Sequence, residues 1–197
     1  GPLAVTALLN DAFSRAVALT VRRNETATSV RLYRSEGPPP EPKKTARPLP
    51  VTTGTTAPDF RLRSLQEKRI RLTALRGKWV LISFWATWCT PCLEEAATLD
   101  RLARAYPRDL RVLALAVMDD RKALDSFVRR VKPAYTILDA GSLTSPPALA
   151  YGVGDGTGGG HLPVNLLVRP DGTVAYVQGG FVTPSPLEPQ VRAALGR

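Results

Sequence analysis

Cysteine, histidine and methionine are nearly absent from this sequence, which has two, one and one of them in 197 residues. A zinc site needs more cysteine or histidine ligands than this chain supplies. Both cysteines fall in the stretch FWATWCTPCLEEA, with two residues between them, so they cannot join distant segments as a staple would. The question is whether this pair holds structure together or does chemistry.

Long apolar runs are also missing. No run of 18 apolar residues occurs, and polar residues interrupt the most apolar N-terminal stretch, Leu3–Val21, so it does not predict a membrane-spanning helix. Apolar residues make up 44% of the chain and charged residues 22%, which is typical of a globular protein. Gly1-Pro2 resembles a scar left by protease cleavage, which leaves room for a signal peptide or membrane anchor ahead of residue 1.

The net charge of +10 is not gathered in one place. Residues 1–50 carry 8 Lys and Arg against 4 Asp and Glu, and residues 51–197 carry 19 against 13. Nucleic-acid-binding proteins usually cluster basic residues with aromatic ones on one face, and this sequence does not. We therefore expect no nucleic-acid partner, and a mildly basic surface that faces anionic lipid or acidic partners.

Composition divides the chain near Val51. Apolar residues recur at helical spacing over Thr6–Leu19 and predict a short helix. Seven of the 18 prolines lie in Ser35–Pro58, and such a stretch favours extended chain that buries no core. The sequence therefore predicts an N-terminal extension over residues 1–50, a short helix followed by a proline-rich linker, and a folded domain over residues 51–197.

Strand and helix patterns alternate within that domain. Strand-like segments are expected at 59–65, 68–75, 79–86 and 109–118, helices at 89–106, 121–131 and 188–197, and a hairpin over 164–180. The run WVLISFWA is apolar apart from Ser83, as in strands buried on both faces of a sheet. The predicted fold class is α/β, with a mixed central sheet and helices on both faces.

The two cysteines lie at the junction of a buried strand and a helix. Cys89 follows the strand and Cys92 lies one turn into the helix, where free backbone N–H groups and the helix dipole favour thiolate over thiol. Pro91 is tolerated there, because the first turn has no N–H partner to lose. A disulfide across so short a loop restricts the unfolded chain little. The spacing therefore favours redox chemistry over a structural role.

Residues 57–197 resemble the thioredoxin superfamily, and more closely the TlpA/ResA-like extracytoplasmic thiol-disulfide oxidoreductases. The matching pieces are APDF at 57–60, LRGKWVLISFWATWCTPC at 75–92, the acidic pair that follows, YGV at 151–153 and LPVNLLVRPDGTV at 162–174. The resemblance implies a thioredoxin-like mixed sheet flanked by helices, with both cysteines at the N-terminus of the first core helix.

The same resemblance implies further site residues. Pro163, after Leu162, stands where the family has a cis-proline facing the disulfide. Glu95 stands where the family's membrane-side reductases keep a glutamate that exchanges a proton with the second cysteine, while Ser83 replaces the buried aspartate of thioredoxins proper. A solvated surface glutamate is the alternative for Glu95.

The implied activity is thiol–disulfide exchange with protein substrates, most simply as a reductant outside the cytoplasm. Cys89 attacks the client disulfide and Cys92 releases the reduced client. Trp88, with Thr90 and Pro91 after it, is expected on the exposed rim where a partner chain binds. No cofactor is implied, and a membrane electron donor would re-reduce the pair. The family's usual clients are apocytochrome c thiols or copper-site cysteines of respiratory oxidases.

Two other readings stay open. Cys89, Cys92 and His161 could hold copper, although related copper chaperones place three residues between their cysteines and this chain places two. The domain could also be a redox-inert docking module. The glycine-rich segment at 152–161 is longer than the family's usual connection and predicts either a flap that admits a bulky partner or loose chain.

Overall fold

The structure, a computed structural model, describes residues 4–8, 16–23, 26–33, 50–154, 160–180, 182 and 185–196, the first three ranges by their backbone alone. The chain divides into two compact units, residues 1–45 and 46–197. In the described part of the chain, no helix is long and apolar enough to cross a bilayer.

The first unit contains a three-stranded antiparallel sheet: β1 at Ala4–Leu8, β2 at Ala16–Arg23 and β3 at Thr26–Tyr33, with β2 in the middle. The predicted helix over Thr6–Leu19 is wrong where that range is described, because both of its ends belong to strands. Strands β2 and β3 are rich in valine and threonine, whose branched β-carbons favour extended chain. Residues 9–15 and 34–49, which hold most of the predicted proline-rich linker, lie outside the described residues. The expectation that Ser35–Pro58 buries no core is wrong at its end, because Val51 and Ala57 are buried in the core of the second unit.

The second unit is built on a seven-stranded sheet. Its strands are β4 Arg61–Ser64, β5 Arg69–Arg71, β6 Trp79–Trp85, β7 Leu110–Ala116, β8 Thr136–Asp139, β9 Val164–Val168 and β10 Val174–Gly179. They lie in the order β10–β9–β6–β7–β8–β4–β5. The central β6, β7 and β8 run parallel, and every other neighbouring pair in this sheet is antiparallel. The mixed sheet confirms the predicted fold class.

Core residues cover both faces of this sheet. Along β6, Ile82 and Phe84 point into one buried cluster, while Leu81 and Trp85 point into the other. This explains the unbroken apolar run, because a central strand is covered on both sides. Three helices complete the cluster that contains Leu81 and Trp85: α1 Thr90–Ala105, α2 Arg121–Val131 and α4 Leu187–Ala194. The cluster that contains Ile82 and Phe84 is completed by the short helix α3, Pro146–Ala150, and by the segment that enters the domain at 51–60.

In the second unit, most elements lie where the sequence predicts them, with three differences. Strand β8 and helix α3 have no counterpart in the predictions, because four and five residues are too few to display a period. Only the first part of the predicted strand at 68–75 is extended, since Leu72–Leu75 forms a 3₁₀ turn.

Both edges of the sheet have distinctive strands. Hairpin β4–β5 forms one edge, and its arginines face each other across the ladder while Leu62 and Ile70 pack on the core: the cross-strand pairs are Arg61 with Arg71 and Arg63 with Arg69. All four arginine side chains are on the exposed face. At the other edge, the register of β10 shifts between Val174 and Tyr176, which marks a β-bulge or similar irregularity.

Candidate active site

The two cysteines form a disulfide at the start of α1. Cys89 is the N-cap residue, with extended backbone at φ −90° and ψ 100°, and its carbonyl accepts the N–H of Leu93 at 3.1 Å. The Sγ atoms are 2.07 Å apart and the Cα atoms 5.3 Å apart. Pro91 lies in the first turn, as predicted, where its missing N–H leaves no gap in the helix.

The two sulfur-bearing residues differ in accessibility. Cys89 is 7% exposed and Cys92 is 2% exposed, and both belong to the cluster beneath α1. Cys89 also lies against the free N–H groups of the first helical turn, where the helix dipole is positive and stabilises negative charge. The outer sulfur is therefore the one that a partner reaches and the one whose anion the backbone favours.

The loop before Cys89 is held by the loop that follows β7. The N–H and the hydroxyl of Thr87 both donate to the carboxylate of Asp119, the N–H at 2.7 Å. The indole N–H of Trp88 donates to the carbonyl of Met118 at 2.9 Å, and the N–H of Met118 in turn donates to Gly141 at 2.7 Å. Sequence reasoning missed Met118 and Asp119, because no motif marks a residue that acts from 30 positions away.

Two exposed apolar side chains, Trp88 and Met118, lie near the outer cysteine. Trp88 is 59% exposed even though its indole N–H is bonded, and Met118 beside it is also exposed. The exposed position of Trp88 matches its prediction. Thr90 is exposed and Pro91 half-buried. Exposed apolar side chains next to a redox-active disulfide offer contact area to a partner chain.

The Leu162-Pro163 segment lies at the same end of the strands as the two cysteines. The peptide bond between them is cis, as predicted. The ladder between β6 and β9 ends at Phe84 opposite Val164, so Pro163 lies beside the end of β6 from which the chain runs to Cys89. Leu162 is half-buried and packs against the cluster that contains both cysteines, and Pro163 accepts the N–H of Gly180 at 2.8 Å.

Glu95 is a buried residue, so the alternative of a solvated surface glutamate is wrong, while its proton exchange with Cys92 stays a prediction. It is 2% exposed and lies three residues after Cys92, on the same face of α1. Its Oε2 accepts the side-chain N–H of Asn165 at 2.7 Å, and its Oε1 accepts the hydroxyl of Ser185 at 3.2 Å. Burial raises the pKa of the carboxyl group above its ordinary value, and the two hydrogen bonds oppose that shift only in part.

Asn165 and Ser185 are further site residues that sequence reasoning missed. Asn165 is completely buried on β9, opposite Ser83 of β6 and Gln178 of β10. Ser185 precedes α4 and is 90 positions away from its partner. A period-2 pattern would have marked Asn165 as a polar residue on an apolar strand, but nothing in the sequence indicates that either side chain meets Glu95.

The residues of the copper alternative are not assembled in this oxidised protein. The sulfurs of Cys89 and Cys92 are bonded to each other, and His161 is exposed. Among the described residues, no three His, Cys, Asp or Glu side chains are grouped to hold a metal ion. A metal titration of the reduced protein is the test of this alternative, which stays a prediction.

Two glycines inside the glycine-rich segment are tightly packed. Gly154 and Gly160 form a backbone bridge. A β-carbon on Gly154 would overlap the carbonyl of Leu143, and one on Gly160 would overlap the carbonyl of Val153. Glycine is therefore required at both positions, while residues 155–159 between them lie outside the described residues.

Comparison with known proteins agrees with this geometry. Residues 53–177 match the AhpC/TSA family. The chain belongs to this family. It is 33% identical to the thiol-disulfide oxidoreductase ResA of Geobacillus thermodenitrificans over 134 residues, which are 68% of this chain and 72% of that protein. It is 30% identical to ResA of Bacillus subtilis over 138 residues, with coverage of 68% and 72%.

Solved structures agree on fold and class. A Chlorobium tepidum structure assigned as a thiol:disulfide interchange protein DsbE is 26% identical, has a TM-score of 0.64, and covers 74% of this chain and 99% of its own. A secreted Mycobacterium tuberculosis disulfide oxidoreductase homologous to E. coli DsbE is 25% identical, with a TM-score of 0.57 and coverage of 68% and 95%. The chain is thus a thioredoxin-like thiol-disulfide oxidoreductase of the ResA/DsbE type, as the resemblance predicted.

Proposed function

We propose that this protein reduces disulfides in client proteins outside the cytoplasm, with Cys89 as nucleophile, Cys92 as resolving thiol and Glu95 as their proton partner. The observation that carries the proposal is the arrangement at the start of α1, where the outer cysteine is slightly exposed, the inner one is more deeply buried, and a buried carboxyl group follows one turn later. The secreted relative from M. tuberculosis supports the extracytoplasmic location.

The reaction proceeds in two exchanges. The Cys89 thiolate attacks one sulfur of the client disulfide, forms a mixed disulfide and releases the other client sulfur as a thiolate. The Cys92 thiol then gives its proton to Glu95 and attacks Cys89, which releases the second client thiolate and leaves the disulfide seen here. Two electrons pass from the cysteine pair to the client, so the pair itself is the redox group and no separate cofactor takes part.

Client chains would bind at the rim formed by Trp88, Thr90, Pro91 and the Leu162-Pro163 segment. The exposed apolar side chain of Trp88 offers contact area, and the backbone at Pro163 lies at the same edge of the sheet. A membrane electron donor restores the dithiol, and oxidised cysteine pairs of apocytochrome c or of a copper site are clients of the kind that such a pair would reduce.

Direction of electron flow is tested by the reduction potential of the pair against glutathione. Potentials in C-x-x-C proteins of this fold span about 150 mV, from about −270 mV for a reductant to about −120 mV for a strong oxidant. We expect a value at the reducing end. A value near the oxidising end would reverse the proposal, and the protein would then donate its disulfide.

Client identity is tested by trapping. Cys92→Ser removes the thiol that resolves the mixed disulfide, so covalent adducts on Cys89 should accumulate and survive non-reducing electrophoresis. We expect the adducts to be extracytoplasmic proteins with paired cysteines. The control is the double variant that also carries Cys89→Ser, which should trap nothing. Adducts with glutathione alone would remove protein disulfides from the proposal.

A further inference from the structure

The buried carboxyl group has partners of a different kind from those of the surface carboxylates. Asp100 accepts two N–H groups from Arg104, and Glu67 binds Arg121 and Arg63; these cationic donors hold the pKa of both carboxyl groups below their ordinary values. Glu95 instead meets an amide and a hydroxyl. Within the described residues, no Lys, Arg or His forms an ion pair with it.

Neutral partners can serve both forms of a carboxyl group. A guanidinium has donors only, so it suits the carboxylate alone. An asparagine amide has a donor at Nδ2 and an acceptor at Oδ1, and a serine hydroxyl both donates and accepts. Asn165 and Ser185 can therefore hydrogen-bond to Glu95 whether or not it carries a proton.

The second polar atom of Asn165 has no partner among the described residues. Its Oδ1 is buried and accepts no hydrogen bond, although the residue is completely enclosed. A half-turn of the amide about its terminal bond would therefore break only the bond from Nδ2 to Glu95. It would replace that bond with one from a protonated Glu95 to Oδ1. In the structure, Nδ2 of the amide is hydrogen-bonded to Glu95, and Oδ1 is available to take its place as the atom that bonds to Glu95.

Among the described residues, one titratable side chain other than the cysteines is shown to interact electrostatically with Glu95. Tyr176 of β10 faces it, and burial together with the negative charge of Glu95 raises the pKa of that phenol, which therefore stays neutral at physiological pH. Ser83 and Gln178 lie beside Asn165 in the ladder and are uncharged. Near neutral pH, the charge in this cluster is set by Glu95 and Cys92.

We propose that Asn165 is a positioning residue that holds the Glu95 carboxyl group in both protonation states, its amide turning over as a proton moves between Cys92 and Glu95. When Cys92 gives up its proton, the sulfur keeps the electron pair and Glu95 becomes neutral. The amide then presents Oδ1 to the new O–H group. Ser185 serves the second oxygen in the same way. This inference rests on the proposed role of Glu95 in the resolving step.

The first test follows the amide directly in the wild-type protein. Nuclear magnetic resonance of the Asn165 side-chain NH₂ group, assigned in the wild-type protein through its contacts to the Asn165 backbone, is recorded against pH together with the Glu95 carboxyl carbon. We expect both to titrate with one midpoint, and the NH₂ protons to lose their nuclear Overhauser contacts to Glu95 and gain contacts toward Ser83 or Gln178 when Glu95 is protonated. Unchanged contacts through that midpoint would overturn the inference, and no variant needs to fold for this result.

The second test measures the pH profile of mixed-disulfide resolution. Asn165→Leu removes both the donor to the carboxylate and the acceptor for the protonated acid. Because the bond to the charged form is the stronger of the two, the midpoint should move upward by about one pH unit. The matched control is Gln178→Leu, a buried neighbour on the same face that bonds to Tyr176 and Gly180 but not to Glu95. A shift of the same size in both variants would mean a general packing effect and would overturn the specific role.

Glu95→Gln separates this inference from the function on which it rests. If that variant resolves the mixed disulfide at the wild-type rate over the whole pH range, the proton role of Glu95 fails and the inference fails with it. If Glu95→Gln slows resolution while Asn165→Leu leaves the profile in place, the role of Glu95 stands and the role of Asn165 is wrong.

Discussion

Ser83 and Glu95 together show where this protein keeps its buried acid. Ser83 lies on β6 at the position where the resemblance to thioredoxins would place an aspartate, and it is buried opposite Asn165. The carboxyl group comes instead from α1, one turn beyond Cys92, and meets the same strand ladder through Asn165. Moving the acid from strand to helix places it on the element that carries both sulfurs.

Glu95 is buried without a cationic partner, so its contribution to the free energy of unfolding depends on pH. The folded-state pKa of Glu95 is raised, so the unfolded chain loses its proton first as pH rises. Stability is therefore unaffected below the unfolded value near 4.3 and falls as pH rises toward the folded value, by about 1.4 kcal/mol for each unit between the two.

Glu95→Gln should accordingly make the oxidised protein more stable at pH 8 and leave it unchanged near pH 3. Denaturant unfolding at the two pH values measures this difference. The control is Glu94→Gln, which changes the same charge at an exposed neighbouring position and should shift stability by less than about 0.5 kcal/mol. A Glu95→Gln variant that is equally destabilised at both pH values would show that packing, not ionisation, dominates at this position.

At the scale of elements, the site depends on two loops that hold each other. The loop between β6 and α1 presents Trp88 and Cys89, and the loop between β7 and α2 supplies the carboxylate of Asp119 and the carbonyl of Met118. Both loops follow neighbouring parallel strands, whose C-terminal ends meet at one edge of the sheet. This pairing fixes the exposed indole beside the outer sulfur.

Asp119→Ala should loosen that pairing. The N–H and hydroxyl of Thr87 lose their acceptor in a half-buried place, which should cost about 1–3 kcal/mol in the free energy of unfolding. We also expect client reduction to fall more than reduction of a small disulfide such as oxidised glutathione, because the displaced rim serves only large partners. Chemical denaturation and paired rate measurements test the two effects.

The control for this variant is Asp125→Ala. Asp125 pairs with Arg121 on the surface of α2 and has no bond to the active-site loop. An exposed ion pair of this kind contributes about 0–1 kcal/mol. Equal losses in the two variants would contradict the special role of Asp119.

Helices and strands could be predicted from the sequence where apolar residues followed the helical or strand pattern over the whole length of the element. The run at 79–86 and the helix from Cys89 were confirmed because burial on both faces and the apolar helical face each leave a long pattern. The stripe over Thr6–Leu19 misled, because apolar residues at helical spacing coincided with β-branched residues that prefer strands. The contacts of Glu95 and Thr87 were not predictable, since they join side chains 32 to 90 positions apart that only the folded sheet brings together.

At the scale of the whole molecule, the site and both described core clusters belong to the second unit. A chain of residues 46–197 should therefore fold by itself and keep the reduction potential of the full chain within about 10 mV, which corresponds to about 0.5 kcal/mol. Thermal unfolding and a glutathione redox titration of both chains test this. A potential that moved by 30 mV or more would mean that residues 1–45 contribute to the site.

The two edges of the seven-stranded sheet affect how this protein can associate with other protein chains. An open edge is a template on which any extended chain can pair. Strand β5 is three residues long with arginines at both outward positions, and the opposite edge is broken by its shifted register. Under the proposed function, client chains would meet this protein with extended, unpaired segments around their cysteines. Blunted edges would then let it exchange electrons with such chains and release them, without pairing with their strands and starting aggregation.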